Sequence, residues 1–174
     1  MFIIEKGSDK EVTHTCCGPP YGSYNIPISK LEKFYKLYIK ALIDGHNLHI
    51  TESRKKTSPI VIDLDIKQNL KHNKRFYTEE NIKKVINLFN MRIQKYVDVP
   101  QYKLQAFVFE KKEPVNRSNK INDGIHIIYP HICINTDLIH IIRASVIKKI
   151  ESKQYFENIP HQNSLEDVFD KGVI

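Results

Sequence analysis

The segment "PIVIDLDIKQN", residues 59–69, constrains the fold more than any other part of the chain, because it reads as a buried strand that carries two acids. Side chains alternate across a strand, so the apolar residues at even positions share one face, whereas Asp63 and Asp65 share the other. Two like charges side by side in a low-dielectric site need cations, bases or a shared proton. The strand therefore predicts a face on which two carboxylates require a partner.

The rest of the chain predicts alternating helices and strands. A capping-box pattern, "SKLE" at Ser29 to Glu32, opens the first helix, and Thr78 caps the second. This order favours an α+β fold in which a mixed or antiparallel sheet carries helices on one face. The predicted elements are helices at about 29–44, 78–96 and 136–150 (opened by Asn135 or Thr136), strands at about 60–66, 102–110, 125–132 and from near Val168, a short strand or turn at 46–53, polar loops at 67–77 and 111–124, and, up to residue 28, a structured loop with one short strand or none.

Composition limits the possible function. A chain of 174 residues with 41% hydrophobic residues can bury one ordinary core, which favours one domain with room for a small lobe. The net charge of +7 points to a polyanion such as nucleic acid or a nucleotide, although compositional bias could also give a solvated basic surface. No apolar run reaches the roughly 18 residues of a membrane span, and no signal peptide is visible, so we expect an intracellular protein without a membrane partner. Three cysteines, two of them adjacent, favour reduced thiols.

Two further residues could complete a site with the acidic pair. His126, in "DGIHIIYP", alternates with Ile125 and Ile127 along a predicted strand, and Asp170 follows an apolar pair in "VFDKGV". If these strands are neighbours, the carboxylates can hold Mg²⁺ or Mn²⁺, which prefer oxygen ligands. Two such ions about 4 Å apart support phosphoryl displacement, and a histidine can donate a hydrogen bond to a phosphate oxygen. The pattern therefore makes nucleotidyl transfer a candidate reaction.

These residues also carry a family resemblance. "IVIDLDI" resembles the hhhDhD motif of archaeo-eukaryotic-type primases (AEPs), in which h is an apolar residue; "GIHIIYP" resembles their second motif and "VFD" their third. Within that superfamily the chain is most similar to the primase module of the primase-helicases of large DNA viruses, on the strength of "THT" before a glycine-rich turn and of "DKGVI" near the end. The likeness covers nearly the whole chain.

The resemblance implies a set of roles. Asp63, Asp65 and Asp170 would be catalytic ligands of two Mg²⁺ or Mn²⁺ ions, and His126 would contact the phosphates of an NTP or dNTP substrate. Lys67 and Lys171, which flank the acids, are candidate phosphate contacts. The implied reaction is primer synthesis on a single-stranded DNA template during replication.

The resemblance also implies an architecture and a context. The fold would be a palm-like sheet related to RNA-recognition domains, at about residues 56–174, beside a smaller N-terminal α/β unit at about 1–55. The family continues into nucleotide-binding and helicase segments, and no GxxxxGK[ST] occurs here, so a superfamily 3-type helicase would lie beyond this chain. We interpret these residues as an excised module or a naturally short chain. A viral protein of this kind would work in host cytoplasm or a virus factory.

Other interpretations compete with this one. A haloacid-dehalogenase-like phosphatase also uses D-x-D, but that family has a Gly or Thr and a small apolar residue directly after the second acid, where this sequence has Ile66 and Lys67. A replication-initiator endonuclease would need a His-x-His pair, which the sequence lacks. A zinc site at His14 is not expected, because the adjacent Cys16 and Cys17 serve one ion poorly. The strongest alternative is a non-catalytic nucleic-acid-binding domain of a replication protein, in which Lys or Arg would pair with the two acids.

Overall fold

The computed structural model describes residues 2–4, 11–72 and 74–172 of the chain, which divides into two compact units, residues 1–55 and 56–174. Both units contain helix and sheet, so the predicted α+β class is confirmed. Of the two predicted kinds of sheet, mixed or antiparallel, every strand pair among these described residues is antiparallel. No helix among these described residues has the length and apolar character needed to cross a membrane.

The first unit is built on a four-stranded sheet and one helix. The helix, α1, spans Ile28–Ile43, and the strands, in the spatial order β1-β3-β2-β4, are β1 (Phe2–Ile4), β2 (His14–Cys16), β3 (Gly22–Asn25) and β4 (Ile50–Glu52). The prediction of one short strand or none before residue 28 was wrong. Strands of three or four residues are too short to show a period-2 pattern, which explains why they were missed.

The start of α1 also differs from the prediction. Pro27 is the N-cap and offers no side-chain hydrogen bond, so Ser29 lies inside the first turn and the predicted capping box does not form. Proline is favourable at a helix start because its fixed φ suits the entry of the chain. The rest of the helix lies within one residue of its predicted bounds.

The second unit contains a five-stranded antiparallel sheet in the order β6-β8-β5-β9, with β7 also paired to β8. Two long helices and one short helix accompany the sheet. The elements, in chain order, are β5 (Thr57–Gln68), α2 (Glu79–Tyr96), a 3₁₀ turn (Gln101–Lys103), β6 (Phe107–Glu110), β7 (Val115–Arg117), β8 (Lys120–Asn135), α3 (Thr136–Lys153), α4 (Leu165–Val168) and β9 (Phe169–Asp170).

The core of this unit lies on one side of the sheet. Even-numbered residues of β5 are buried, whereas Asp63 and Asp65 on the other face are partly exposed. Buried residues of α2 and α3 complete the same hydrophobic cluster, so the helices cover one face and leave the acidic face open. Burying this apolar area against two helices fixes the register of β5, because a slip of one residue would move the acids into the core.

The starts of α2 and α3 follow the predicted caps, but β5, β6 and β8 do not follow their predicted bounds of 60–66, 102–110 and 125–132. The Thr78 side chain accepts a hydrogen bond from the Asn81 amide in a reciprocal capping box, and the Asn135 side chain caps α3. The predicted strand at 102–110 is shortened to β6, because the residues before it form the 3₁₀ turn. The predicted loop at 111–124 instead contains a β7–β8 hairpin, whose turn residues Ser118 and Asn119 both have positive φ. That geometry is the one that two-residue hairpin loops favour.

Candidate metal and nucleotide site

Three of the predicted site residues lie side by side across the open face of the sheet. Asp63 on β5 is in register with His126 on β8 and with Asp170 on β9, one on each side. Residues directly opposite each other in an antiparallel pair point to the same face and have Cβ atoms about 5 Å apart. The three strands therefore bring together residues that are up to 107 positions apart in the chain.

His126 and Asp63 are in direct contact. His126 Nε2 lies 3.0 Å from Asp63 Oδ1, with the imidazole 57% exposed and the carboxylate 18% exposed. The register places His126 on the open face, as the alternation with Ile125 and Ile127 predicts, and those two residues are buried. The histidine is thus accessible to a ligand while it supports the carboxylate beside it.

Asp65 lies two residues farther along β5, opposite Gly124. Its Oδ1 is 3.5 Å from Nζ of Lys111, which follows β6 directly. A Cβ on Gly124 would come within 2.6 Å of the Leu64 carbonyl oxygen, so a larger residue would force the strands apart. The glycine leaves open the floor of a hollow of about 360 Å³ that Asp63, Asp65, Lys111 and His126 line.

A buried arginine holds the strand that carries Asp170. Arg143 on α3 donates from Nε to the Phe169 carbonyl oxygen at 2.6 Å and from Nη2 to the Glu166 carbonyl oxygen. Its Nη1 also meets the Glu166 carboxylate at 2.8 Å, although that carboxylate is mostly exposed. Because β9 has only two residues, these bonds from α3 are a large share of what fixes Asp170 against β5.

A second anchor comes from the loop before α4. The Asn163 side chain donates to the Asp65 carbonyl oxygen at 2.7 Å and accepts from the Lys67 amide at 3.1 Å. One side chain therefore takes the place of a neighbouring strand beside β5, next to the acids. Sequence patterns contain no signal for either Asn163 or Arg143, since both act across long separations.

The surroundings of Asp63 disfavour the negative charge of its carboxylate. Burial raises the pKa of Asp63, and the neighbouring Asp65 and Asp170 carboxylates raise it further, whereas His126 and Lys111 lower it. Carboxylate oxygens from three positions suit a hard divalent cation. In the chain as described, 11–72 and 74–172, no three His, Cys, Asp or Glu side chains are grouped closely enough to hold a metal.

The raised pKa of Asp63 predicts a pH-dependent stability. At Asp63 the folded protein binds more protons than the unfolded chain between the ordinary pKa, 3.8, and the raised one, so the contribution of this residue to stability falls as pH rises through that window. In EDTA we expect Asp63→Asn to gain stability relative to wild type as pH is raised from below 3.8 to neutrality. Urea unfolding followed by circular dichroism at several pH values measures this difference. Asp98→Asn, at an exposed site, is the matched control, and a difference independent of pH would contradict the prediction.

The two predicted lysines lie in different surroundings. Lys67 lines a second hollow of about 390 Å³ that adjoins the first at Asp65 and also contains Arg117, Lys120 and Asn122. Lys171 is exposed directly after Asp170, whose Oδ1 accepts a hydrogen bond from the Gly172 amide. Lys67 therefore belongs to a basic extension of the site, whereas Lys171 lies at its edge.

The sequence alone does not reveal several residues that contribute to the site. Lys111 stands in a visible basic pair, but only the fold shows that it reaches Asp65. Arg75 binds the fully buried Asp123 through Nε and Nη2 at 3.0 Å, and it also donates to the Lys111 carbonyl oxygen. Asp123 precedes the glycine of the "DGIH" motif, which is the one sequence signal that could have drawn attention to this pair.

Comparison with known proteins places these residues in a family context. Residues 13–174 match the family model described as "C962R protein N-terminal AEP domain". The chain is 46% identical over 170 residues, 98% of its length, to "Putative helicase L207/L206" of Acanthamoeba polyphaga mimivirus, and 27% identical over 143 residues, 73% of its length, to "Putative helicase 184R" of Invertebrate iridescent virus 6. These matches cover 18% and 15% of the two relatives, so the chain spans less than a fifth of either one.

Proposed function

Because the chain belongs to the family of C962R-type N-terminal AEP domains, we propose that it is the nucleotidyl-transfer module of a DNA primase, which makes primers on single-stranded DNA. The observation that carries the proposal is the shared register of Asp63, His126 and Asp170 on the open face of the sheet, with Asp65 beside them. Burial and the neighbouring Asp65 and Asp170 carboxylates raise the pKa of Asp63, and a divalent cation held by the three acids would offset both effects.

The side chains of the site would have different roles in this reaction. Asp63, Asp65 and Asp170 would hold two Mg²⁺ or Mn²⁺ ions, which stabilise charge on the attacking and leaving oxygens when bound. His126 is exposed enough to donate a hydrogen bond to a phosphate oxygen of an NTP or dNTP. Lys111, whose Nζ lies 3.5 Å from Asp65 Oδ1, would contact a phosphate of the same nucleotide. Lys171 remains a candidate phosphate contact at the exposed edge.

The second hollow supports a site for the phosphate tail. Lys67, Lys120 and Arg117 line it together, and none of the three has a carboxylate partner within the described part of the chain. Lys67 lies two residues from Asp65, which corresponds to about 7 Å along a strand. A triphosphate whose α-phosphate is at the acids can therefore extend its remaining charge toward these cations.

Removing two of these charges should weaken nucleotide binding. We expect Arg117→Gln/Lys120→Gln to raise KM for the nucleotide about tenfold, because each lost charge-assisted hydrogen bond is worth roughly 1.5–3 kcal/mol and solvent screens part of it. Steady-state incorporation assays at several nucleotide concentrations measure the change. Lys148→Gln/Lys149→Gln on α3 removes the same charge from the helical side of the sheet. Equal effects from both pairs would mean that only net charge matters.

The proposed context is a longer polypeptide. The relatives named as helicases are more than five times as long as the matched region, so we place a superfamily 3-type helicase beyond this chain in the same protein. The module would supply primers on the single strand that such a helicase opens. The viral relatives make host cytoplasm or a virus factory the proposed location.

A direct assay tests the proposal. The protein is incubated with single-stranded DNA, labelled NTPs or dNTPs, and Mg²⁺ or Mn²⁺, and we expect labelled oligonucleotides that disappear in EDTA. Electron paramagnetic resonance measures Mn²⁺ binding in the same samples. Absence of both product and Mn²⁺ binding would contradict the enzymatic proposal, and it would do so without depending on any substitution.

One alternative function has a specific observation in its favour. Asp63 and Asp65 already have cationic or hydrogen-bonding partners, His126 and Lys111, as a non-catalytic nucleic-acid-binding domain would require. In such a domain Mn²⁺ would not displace these contacts, and loss of the acids would change no reaction. The Mn²⁺ titration therefore separates the two functions.

A further inference from the structure

We propose that Phe107 and Phe109 form a stacking platform for two successive bases of single-stranded DNA. The two rings lie on β6, which is the edge strand of the five-stranded sheet. Their side chains are 54% and 56% exposed, and neither contacts another aromatic ring in the part of the chain that the structure describes. The inference deepens the proposed function, since it assigns a place to the DNA template.

Both rings point to the face that carries the acids. Phe109 is in register with His126 and Phe107 with Ile128, so all four residues share the open face. Phe109 also lines the hollow that contains Asp63 and Asp65. A base on Phe109 would therefore lie beside the proposed reaction centre, and a base on Phe107 would lie one step away from it.

The spacing of the rings favours a single strand. Two residues along a strand are separated by about 7 Å, roughly twice the 3.4 Å rise per nucleotide of B-DNA. Bases that stack on successive rings must therefore belong to a stretched strand, and the faces of bases inside a duplex are not available for such contacts. Aromatic side chains stack on any base, which suits binding without sequence preference.

The charges around the rings favour a nucleic acid over an apolar partner. Lys111 and Lys112 follow β6 directly, and the chain has a net charge of +7. The one acid of β6, Glu110, is paired with Arg75 at 2.9 Å, so its charge is compensated. A phosphate backbone beside the rings would thus meet cations and little uncompensated negative charge.

The test is a binding measurement without metal. Fluorescence anisotropy in EDTA compares wild type and Phe107→Ala/Phe109→Ala on a ten-nucleotide dT strand and on an abasic strand of equal length. We expect the variant to raise Kd for dT at least about tenfold, whereas Kd for the abasic strand stays within twofold of wild type. Both side chains are exposed on an edge strand, so the fold should tolerate the change, and circular dichroism checks this.

Two further variants sharpen the test. Phe107→Tyr/Phe109→Tyr should retain wild-type affinity because the rings remain, and Tyr96→Ala, which removes an exposed ring from α2, should have no effect. The platform would be overturned if the alanine variant bound dT as tightly as wild type, or if it lost equal affinity for the abasic strand. Unchanged dT binding is the result expected if another protein segment covers the rings instead of DNA. Because the binding assay contains no metal or nucleotide, its result does not depend on whether the protein makes primers. A failed binding test would likewise leave the proposed primer synthesis untouched.

Discussion

Asp63→Asn and Asp65→Asn should each reduce primer synthesis by at least about 100-fold while leaving the affinity for single-stranded DNA unchanged. A metal ion contributes several kcal/mol of charge stabilisation in the transition state, and each 1.36 kcal/mol corresponds to a factor of ten in rate. Both substitutions keep the size and a hydrogen-bonding oxygen of the side chain, and Asp63 and Asp65 project from the open face of β5. The fold should therefore be retained. Product formation is measured by gel electrophoresis with Mn²⁺, and DNA binding by anisotropy in EDTA.

A matched variant and a metal titration complete this experiment. Glu157→Gln removes an exposed carboxylate outside the site and should keep full activity. Wild type should gain thermal stability with added Mn²⁺, by about 2.7 kcal/mol at a concentration of 100 times Kd, whereas the variants should gain less. Wild-type rates in both variants would show that the two acids have no catalytic role. Loss of DNA binding together with activity would indicate structural damage.

Arg143→Ala should have the largest effect on stability, with a loss of about 3 kcal/mol in the free energy of unfolding. The substitution leaves the carbonyl oxygens of Phe169 and Glu166 without their donor, in a region where Phe169 is almost completely buried. It also frees β9, so primer synthesis should fall along with stability because Asp170 loses its position beside Asp63. Urea unfolding and incorporation assays measure the two effects.

Glu166→Gln is the matched control for Arg143. It removes the charge of the exposed carboxylate but keeps both carbonyl bonds, so we expect a loss below about 1 kcal/mol and little change in activity. If Glu166→Gln were as damaging as Arg143→Ala, the ion pair rather than the carbonyl bonds would hold β9. If Arg143→Ala cost stability but left activity intact, Asp170 would not depend on this arginine.

The sequence predicts best the elements whose patterns are long. The alternation in β5 predicts which face the two acids occupy, and the apolar periodicity of α2 and α3 predicts both helices to within three residues of their ends. In the first unit β4 lies inside the predicted strand or turn at 46–53, whereas the three strands before residue 28 exceed the one predicted at most, because three or four residues cannot show a period. The β7–β8 hairpin was missed because its turn, Ser118-Asn119, lacks the glycine that usually signals such a loop.

The composition of the candidate site was harder to predict from the sequence than its individual strands. Local pattern places Asp63 and Asp65 on one face, but it cannot say that His126 and Asp170 lie on neighbouring strands, since strand order depends on packing of the whole chain. The family resemblance suggested that neighbourhood from motif order, and the register places the residues side by side. No motif marks Lys111, Arg143 or the two hairpin residues Arg117 and Lys120, because their roles come from contacts between distant segments.

Because β9 is short, Asp170 can join and leave the site separately from Asp63 and His126. Asp63 and His126 sit on strands that share a register of twelve residue pairs, whereas Asp170 reaches the sheet through only two. Segments with few bonds detach at lower free energy than the body of a domain, so the third acid can leave while its neighbours stay in place. Slower amide hydrogen exchange at Phe169 and Asp170 in the presence of Mn²⁺ and nucleotide would then report how fully the ligand closes the site.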